Sequence, residues 1–267
     1  MPSIRMSKNL SFKNEYHLGD CLYQLHYQLA LFSQAAVAST LYARPEYHAE
    51  LVQFIPVGVD VSVAPAEVAP DDAVNSWIGH EDFHTKHPNW HDYHAFYIDF
   101  FKALSRRVGV RPPFSQPGHM FFNSPRIPER RIDPRGYDWL VINAAPRSGQ
   151  FDFASCQWLH LVTALRNVRQ TVITTHPCGL QHIPATIDLG YKVIDIAKLS
   201  TQVKNVVAID TGPTGSTFNA WNQTTVKNRF ILHRTNYFTH AGCHRVAAWA
   251  DLWPAIQASG ALSRTMT

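Results

Sequence analysis

The chain has 267 residues and a formal net charge of +4, with 45% hydrophobic and 16% charged residues. This composition indicates a globular protein with a substantial core, built as one large domain or two of ordinary size. The mild positive charge suits a phosphate-bearing ligand but is too small to argue for nucleic acid by itself. No window approaches 18 consecutive apolar residues, so the sequence predicts no membrane-spanning helix.

Cysteine usage and the first residues point to a compartment. The four cysteines are far apart and form no CxxC pair: Cys21, Cys156, Cys178 and Cys243. Residues 1–17 contain no apolar stretch of the kind found in a cleaved secretion signal. We therefore expect reduced thiols in a cytoplasmic protein.

Residues 1–110 mix the patterns of short strands and helices, and we predict that they form one α/β domain. A helix is predicted over residues 21–36, and Asp20 just before it is a candidate N-cap. Further patterns follow in order: an apolar run at 38–43, a helix-like stretch at 45–55, an alternating strand at 57–65 and an amphipathic helix at 94–110.

The segment 79–94 is rich in histidine. It contains His80, His84, His87, His91 and His94. Pro88 interrupts any helical register, no HExxH is present, and the spacing fits no standard set of metal ligands. We predict no metal here. Two interpretations stay open: a loop that lines a cleft and contacts an acceptor or a phosphate through one histidine, or a solvated loop.

Residues 111–137 are rich in proline and arginine and have neither helical nor strand periodicity. Proline at this density opposes regular structure, so we predict a linker between two domains. The alternative is a long surface loop within one domain.

After residue 137, apolar strand patterns alternate with helical patterns. Strands are predicted at 139–144, 171–175, 191–196, 206–210 and 229–234. Helices are predicted at 155–167, 198–205, 215–223 and 244–259, the last broken or kinked near Pro254. This alternation predicts a mostly parallel sheet covered on both faces, in a second domain over 138–240. The tail 241–267 would form a final helix that packs back on the first domain.

The strand at 206–210 ends in Asp210 and runs straight into a turn of small and hydroxyl-bearing residues. Ligands of open α/β sheets bind beyond the carboxyl ends of the strands, which is where this turn lies. Glycines allow the backbone amides to approach a ligand, and hydroxyls add donors: Thr211, Gly212, Thr214, Gly215 and Ser216. The turn predicts a phosphate or diphosphate site, with a plain strand-to-helix turn as the alternative.

Three segments carry a resemblance to a known family. IDTGPTGSTFNAWNQ, after KLSTQVKN, resembles the strand-loop-helix of GT-B glycosyltransferases, in particular those of the ADP-heptose:lipopolysaccharide heptosyltransferase type. HLGDCLYQLHYQLAL is similar to the family's N-terminal turn, in which a strand is followed by Gly-Asp and a helix. INAAPRSGQFDFASCQWLHLVTAL resembles the opening strand, loop and helix of the nucleotide-binding half. The matches stand in the family's order.

The resemblance implies an α/β fold of two Rossmann-like halves with a cleft between them. The implied activity is transfer of a sugar from a nucleotide-diphosphate donor to an acceptor hydroxyl, with no metal and no cofactor other than the donor substrate. The sequence also departs from the family. Gly215 stands where the family usually has histidine, Phe218 and Trp221 replace an alanine-rich helix, and a lysine after Ser148 is missing. The identity of the donor is therefore not implied.

The resemblance also suggests roles for individual residues. Asp20 would be the base that deprotonates the acceptor, although capping the helix is an alternative role for the same carboxylate. The acceptor side would include His17, Gly19, His84 and His91. Arg147 and Ser148 would face the diphosphate, with a surface arginine in a flexible turn as the alternative. His176 and Asp195 would frame the nucleotide unless they are ordinary strand-end residues, and Asp210 would belong to the donor site.

A bacterial envelope glycan is the expected acceptor. A transferase that acts on a modified DNA base, as in phages, is an alternative, in which a group of arginines would face phosphates: Arg126, Arg130, Arg131 and Arg135. A non-catalytic nucleotide or sugar-phosphate binding protein is another; it would keep the turn at 212–216 without depending on Asp20. No GxGxxG follows a predicted strand, which argues against a Rossmann-type oxidoreductase.

Overall fold

The computed structural model describes residues 9–79, 93–129, 136–146, 151–234 and 242–262. Internal contacts divide the chain into two compact units, Met1–Arg126 and Ile127–Thr267. The division falls inside the proline-rich segment 111–137. The domain limits drawn from the sequence stay a prediction.

The first unit is built on a small parallel sheet with helices between its strands. Its elements are β1 (Leu10–Asn14), α1 (Leu18–Ala35), β2 (Ser39–Ala43), α2 (Pro45–Leu51), β3 (Val61–Pro65), β4 (Val74–Asn75) and α3 (Tyr93–Val108). The strand order is β3-β2-β1-β4, and all three pairings are parallel. The α/β class predicted from the sequence is confirmed in this half.

Aromatic rings join α1 to α3. Tyr23 stacks on Tyr97 with ring centroids 4.4 Å apart, and Tyr27 stacks on Phe101 at 4.7 Å. Offset stacking of this kind adds to the free energy gained by burying the rings. Ala36 caps the carboxyl end of α1: its backbone adopts the left-handed conformation at φ 50°, and its N–H donates to the carbonyl of Phe32.

The proline-rich segment contributes to the first unit's core. Phe114, Met120 and Phe122 are buried, and residues Pro117–Met120 form a short 3-10 helix. Phe122 packs edge-on against Phe54, whose carbonyl accepts the Ser124 hydroxyl. Prolines thus exclude long helices and strands here without preventing the aromatic residues between them from packing.

The second unit is a five-stranded parallel sheet. Its elements are β5 (Trp139–Ile142), α4 (Ser155–Asn167), β6 (Val172–Thr174), α5 (Val193–Ser200), β7 (Asn205–Ile209), α6 (Gly212–Ser216), β8 (Asn228–Leu232), β9 (His244–Val246) and α7 (Leu252–Ala258). The strand order is β6-β5-β7-β8-β9. Because β5 and β7 are buried at every position, both read as continuous apolar runs, as central strands of a parallel sheet do.

Four predicted elements of this half are wrong. The helix predicted at 198–205 overlaps only the end of α5, and Asn205 already begins β7. Residues 191–196 form no strand, because Val193, Ile194 and Ile196 belong to α5. Residues 215–223 form no helix, since the helical turn is α6, which begins earlier at Gly212. The predicted helix at 244–259 is instead strand β9, a 3-10 turn and then α7.

The helix α7 packs within the second unit. Leu252 and Ile256 belong to the same buried cluster as Trp139, Val162 and Phe230. Its predicted return to the first domain stays a prediction. Among the residues that the structure describes, no helix is both long enough and apolar enough to cross a membrane.

In each sheet the chain adds strands first on one side of a strand and then on its other side, and we call the carboxyl end of that strand the reversal point. In the first sheet β2 and β4 lie on opposite sides of β1, and in the second β6 and β7 lie on opposite sides of β5. Connections leave such strand ends in opposite directions, which opens a crevice at the carboxyl edge of the sheet. The fold therefore provides one candidate binding position in each unit, beyond β1 and β4 and beyond β5 and β7.

A buried histidine lies at the centre of the first unit. The Nε2–H of His26 donates to the carbonyl of His119 at 2.9 Å, and Nδ1 accepts the Asn123 N–H at 3.4 Å. The ring stacks on Phe114 with centroids 4.8 Å apart. Burial lowers the pKa of His26 to about 4, since the charged form would lose its hydration.

This histidine should make the first unit sensitive to acid. The pKa of His26 is lower in the folded chain than in the unfolded chain, so unfolding takes up a proton between pH 6.5 and about 4. As the pH falls from 6.5 to about 4, the free energy of unfolding should decrease by about 3 kcal/mol in total, at about 1.4 kcal/mol for each pH unit. Urea unfolding of the full chain at a series of pH values measures the slope.

The variant His26→Gln removes the titration, and its slope between pH 6 and 4.5 should be flatter than that of the wild type. His160→Gln, at an exposed position, is the matched control and should keep the wild-type slope. Equal slopes for His26→Gln and the wild type would show that His26 is not the responsible group.

Candidate active site

The turn after β7 is a single turn of helix rather than an open loop. The helix α6 has only five residues, with Thr211 at its N-cap position and Pro213 in its first turn. So short a helix has little macrodipole, and Pro213 supplies no N–H. An anion at this turn would therefore bind through individual amides and side chains, not through the field of a long helix.

The hydroxyls of this turn are partly committed to the backbone. The Thr214 hydroxyl donates to the Ile209 carbonyl at 2.5 Å, and the Ser216 hydroxyl donates to the Pro213 carbonyl at 2.7 Å. Both side chains are buried, whereas Asp210, Thr211, Gly212 and Gly215 are half-buried. Of the predicted site residues in this turn, those four reach the surface. The Thr214 and Ser216 side chains are buried and donate to backbone carbonyls, and their predicted contact with a diphosphate stays a prediction.

A buried polar network fixes the far end of this turn. The side-chain amide of Asn219 donates to the carbonyl of Ser216 at 3.1 Å and to the Ser200 hydroxyl at 3.1 Å. The amide of Asn222 donates to the same hydroxyl at 2.8 Å, and its oxygen accepts Arg229 Nη2 at 2.8 Å. These bonds hold the turn in one conformation and explain why residues 217–222 do not continue as a helix.

An acidic and a basic side chain lie side by side where β7 and β8 end. Ile209 is in register with Leu232, so Asp210 and His233 are neighbours, and the Asp210 Oδ2 lies 4.0 Å from the His233 Nε2. The Asp210 side chain is only 20% exposed. Burial raises the pKa of Asp210 to about 6, because the ionised carboxylate is poorly hydrated there. The sequence indicated Asp210 but gave no sign of His233.

A second polar cluster lies beyond β5 and β6, on the other side of the crevice. The Asn143 Oδ1 accepts the His176 N–H at 2.8 Å and the Thr175 hydroxyl at 3.0 Å, while its Nδ2 donates to the His176 carbonyl at 2.9 Å. Asn143 and Thr175 are buried, and the His176 ring is exposed. This cluster holds the predicted donor-site residue His176 at the same edge as Asp210.

One arginine also lies at this edge. Arg234 follows β8, and its Nη1 is 2.7 Å from the Asp152 Oδ2, with both side chains well exposed. An exposed ion pair of this kind is weak, so the guanidinium can exchange Asp152 for a phosphate at little cost. The sequence gave no reason to single out Arg234, since its position depends on the strand register.

Asp195 does not follow a strand, contrary to the prediction. It lies in the first turn of α5, and its Oδ2 accepts the Lys192 N–H at 2.9 Å, which stabilises the start of that helix. Four other predicted site residues lie outside the part of the chain that the structure describes: His84, His91, Arg147 and Ser148.

In the first unit, Asp20 is not the N-cap of α1. The helix begins at Leu18 with His17 in the capping position, so that Gly19 and Asp20 lie in the first turn. The Asp20 Oδ1 accepts the Tyr97 hydroxyl at 3.3 Å. The capping role considered for Asp20 is therefore wrong, while a role as a base stays a prediction. His17, Gly19 and Asp20 together follow the carboxyl end of β1.

Metal ligands do not cluster in the described ranges: no group of three histidine, cysteine, aspartate or glutamate side chains there could hold an ion. Of the histidine-rich segment 79–94, only Gly79, Tyr93 and His94 belong to these ranges. The predicted lack of a metal stays a prediction.

The fold is that of solved glycosyltransferases. No family model and no curated protein matches the chain. The E. coli heptosyltransferase WaaC, solved with ADP-2-deoxy-2-fluoro heptose, is 10% identical with a TM-score of 0.60, covering 94% of this chain and 99% of that one. The same enzyme solved with ADP is 11% identical with a TM-score of 0.57, covering 95% and 98%.

Two further structures agree. The iron-containing dodecameric glycosyltransferase TibC from enterotoxigenic E. coli H10407 is 12% identical with a TM-score of 0.55, covering 89% of this chain and 63% of that one. A glycosyl transferase family 9 protein from Veillonella parvula DSM 2008 is 10% identical with a TM-score of 0.53, covering 96% and 90%. The predicted fold, two Rossmann-like α/β halves of GT-B type, is thereby confirmed.

Replacing the buried carboxylate of Asp210 with a neutral amide should stabilise the folded chain. Since burial raises the pKa of Asp210 to about 6, the folded chain keeps its proton where the unfolded chain loses it, and the free energy of unfolding falls as pH rises from about 4 to 6. Asp210→Asn should therefore stabilise the chain by about 1–2 kcal/mol at pH 8, and the gain should shrink at pH 4.

Chemical denaturation at both pH values checks this prediction. Asp188→Asn, at an exposed position of the same unit, should change little at either pH. If Asp210→Asn instead destabilises the chain at pH 8, the ionised carboxylate must be stabilised by its surroundings, and the assignment of its raised pKa would be wrong.

Proposed function

We propose that the chain is a glycosyltransferase that moves a sugar from a nucleotide-diphosphate donor to an acceptor hydroxyl. The observation that carries the proposal is the polar turn Asp210 to Gly212, which emerges at the reversal point of a parallel sheet in a fold shared with glycosyltransferases. Of the solved relatives, WaaC was determined with ADP and with an ADP-sugar analogue. Both facts favour a sugar nucleotide as the ligand of the second unit.

Departure of the nucleotide diphosphate requires that its growing negative charge be stabilised. In the second unit, amides at Thr211 and Gly212 and the guanidinium of Arg234 would supply that stabilisation. The diphosphate would draw Arg234 from Asp152, which leaves the arginine bound bidentately to a more highly charged partner. Protein groups would thus balance the charge, and we propose a metal-independent reaction.

The acceptor hydroxyl needs a base. Asp20 follows the carboxyl end of β1 at the corresponding reversal point of the first sheet, where an acceptor would bind. The Tyr97 hydroxyl donates to the Asp20 Oδ1 at 3.3 Å, which helps to orient the carboxylate that would accept the proton of the acceptor hydroxyl. We propose an acceptor on a bacterial envelope glycan and a reaction in the cytoplasm.

Turnover of sugar nucleotides by the full chain tests the proposal. The wild type should release nucleoside diphosphate from at least one donor of a panel, and the same nucleoside diphosphate should raise its melting temperature through preferential binding to the folded form. Asp20→Asn should lower kcat by at least about 100-fold while the ligand-induced shift persists. Arg234→Met should reduce the shift itself.

Two controls match these variants in chemistry but lie at the opposite edge of each sheet. Asp60→Asn, before β3, should leave kcat unchanged, and Lys204→Met, before β7, should leave the shift unchanged. Binding of a nucleoside diphosphate without turnover of any donor, with Asp20→Asn equal to the wild type, would contradict the transferase and favour a nucleotide-binding protein. Turnover that requires DNA would overturn the glycan acceptor alone.

A further inference from the structure

Two matching turns project aromatic side chains from the reversal point of the first sheet. Lys13 is in register with Asn75, so β1 and β4 end within one residue of each other. The side-chain oxygen of Asn14 accepts the Tyr16 N–H at 3.1 Å, and that of Asn75 accepts the Trp77 N–H at 3.0 Å. Each strand thus turns at an asparagine and places an aromatic residue two positions later, at the same edge of the sheet.

Three rings in tilted contact form a cluster that we call the aromatic shelf: Tyr16, His17 and Trp77. The Tyr16 ring lies 4.3 Å from Trp77 and 4.0 Å from His17, measured between centroids. Tyr16 is still 39% exposed, while His17 and Trp77 are half-buried. The backbone at Gly79 lies against the Trp77 indole so closely that a Cβ there would overlap the ring.

Buried and partly buried hydrogen bonds hold the shelf in place. Asn14 is 1% exposed, and its Nδ2 donates to the Ser76 carbonyl at 3.4 Å. The Ser76 hydroxyl donates to the Lys13 carbonyl at 3.2 Å, and the Tyr47 hydroxyl donates to the Tyr16 carbonyl at 3.4 Å. The exposed rings are therefore preorganised, and a ligand would lose little free energy in ordering them.

The charges beside the shelf select the kind of ligand. Lys13 pairs with Glu15 at 2.9 Å, and Arg44 pairs with Glu46 at 3.9 Å and also donates to the Glu15 carbonyl. Asp20 adds a further carboxylate at the start of α1. These two cations stand beside three carboxylates, so the charge around the shelf is not positive, which disfavours a phosphate backbone and suits a neutral polyhydroxyl compound.

We propose that the aromatic shelf binds a saccharide ring of the acceptor. The C–H groups on the apolar face of a pyranose are polarised by neighbouring oxygens and are attracted to the electron-rich face of an aromatic ring. The carboxylate of Asp20 lies at the same edge of the sheet, where it would accept a hydrogen bond from a sugar hydroxyl. The assignment rests on the proposed function only in treating the first unit as the acceptor half.

Saturation-transfer NMR on the full chain tests this site with methyl glycosides of glucose, galactose, mannose and heptose as probes. At least one glycoside should bind the wild type, with transfer concentrated on its ring C–H groups. Tyr16→Leu and Trp77→Leu should each weaken its affinity by about tenfold or more, because they remove the π face and keep apolar bulk. Tyr16→Phe, which keeps the ring, should bind like the wild type.

Circular dichroism and melting curves of the variants establish that they are folded. Absence of binding by all four glycosides, or equal affinity in the leucine variants, would overturn the proposal. So would a single-stranded oligothymidylate that binds in their place and depends on the same rings, since the shelf would then stack bases. Glycoside binding without donor turnover would refute the transferase and not the shelf, whereas turnover without glycoside binding would refute the shelf alone.

Discussion

The parallel pairing of β5 with β7 is the constraint on which the candidate site depends. The chain leaves β5 for β6 on one side and returns to β7 on the other, so connections leave this part of the carboxyl edge in opposite directions. Asn143 directly follows β5 and Asp210 directly follows β7. The pairing therefore places two polar strand ends at one opening, and the first sheet repeats the arrangement with Asn14 and Asn75.

Hydrogen bonds fix the polar side chains that follow these strands in one orientation. Asn143 bonds to Thr175 and to the backbone of His176, and Asn222 fixes the turn after β7 through Ser200 and Arg229. Buried and satisfied polar networks restrict a segment to one conformation, as a binding site requires. The carboxylate of Asp210 opposes folding instead, and such local losses of stability are typical of functional positions.

The sequence could predict the α/β class and the buried central strands, because continuous apolar runs between helical patterns are typical of a parallel sheet covered on both faces. It could not separate strand from helix at 191–196, where a short buried run of Val193, Ile194 and Ile196 satisfies either pattern. Pro213 starts the helical turn earlier than the apolar pattern indicates, and the side-chain bonds of Asn219 end it. His233, Arg234 and the aromatic shelf depend on strand register, which local patterns do not reveal.

The central claim is that a nucleoside diphosphate binds beyond β5 and β7, and a crystal structure of the chain with that ligand tests it most directly. We expect diphosphate oxygens within hydrogen-bonding distance of Thr211 and Gly212, with the Arg234 guanidinium turned from Asp152 towards them. A nucleotide bound at the opposite edge of the sheet, or one that leaves the turn after β7 without contact, would contradict the account.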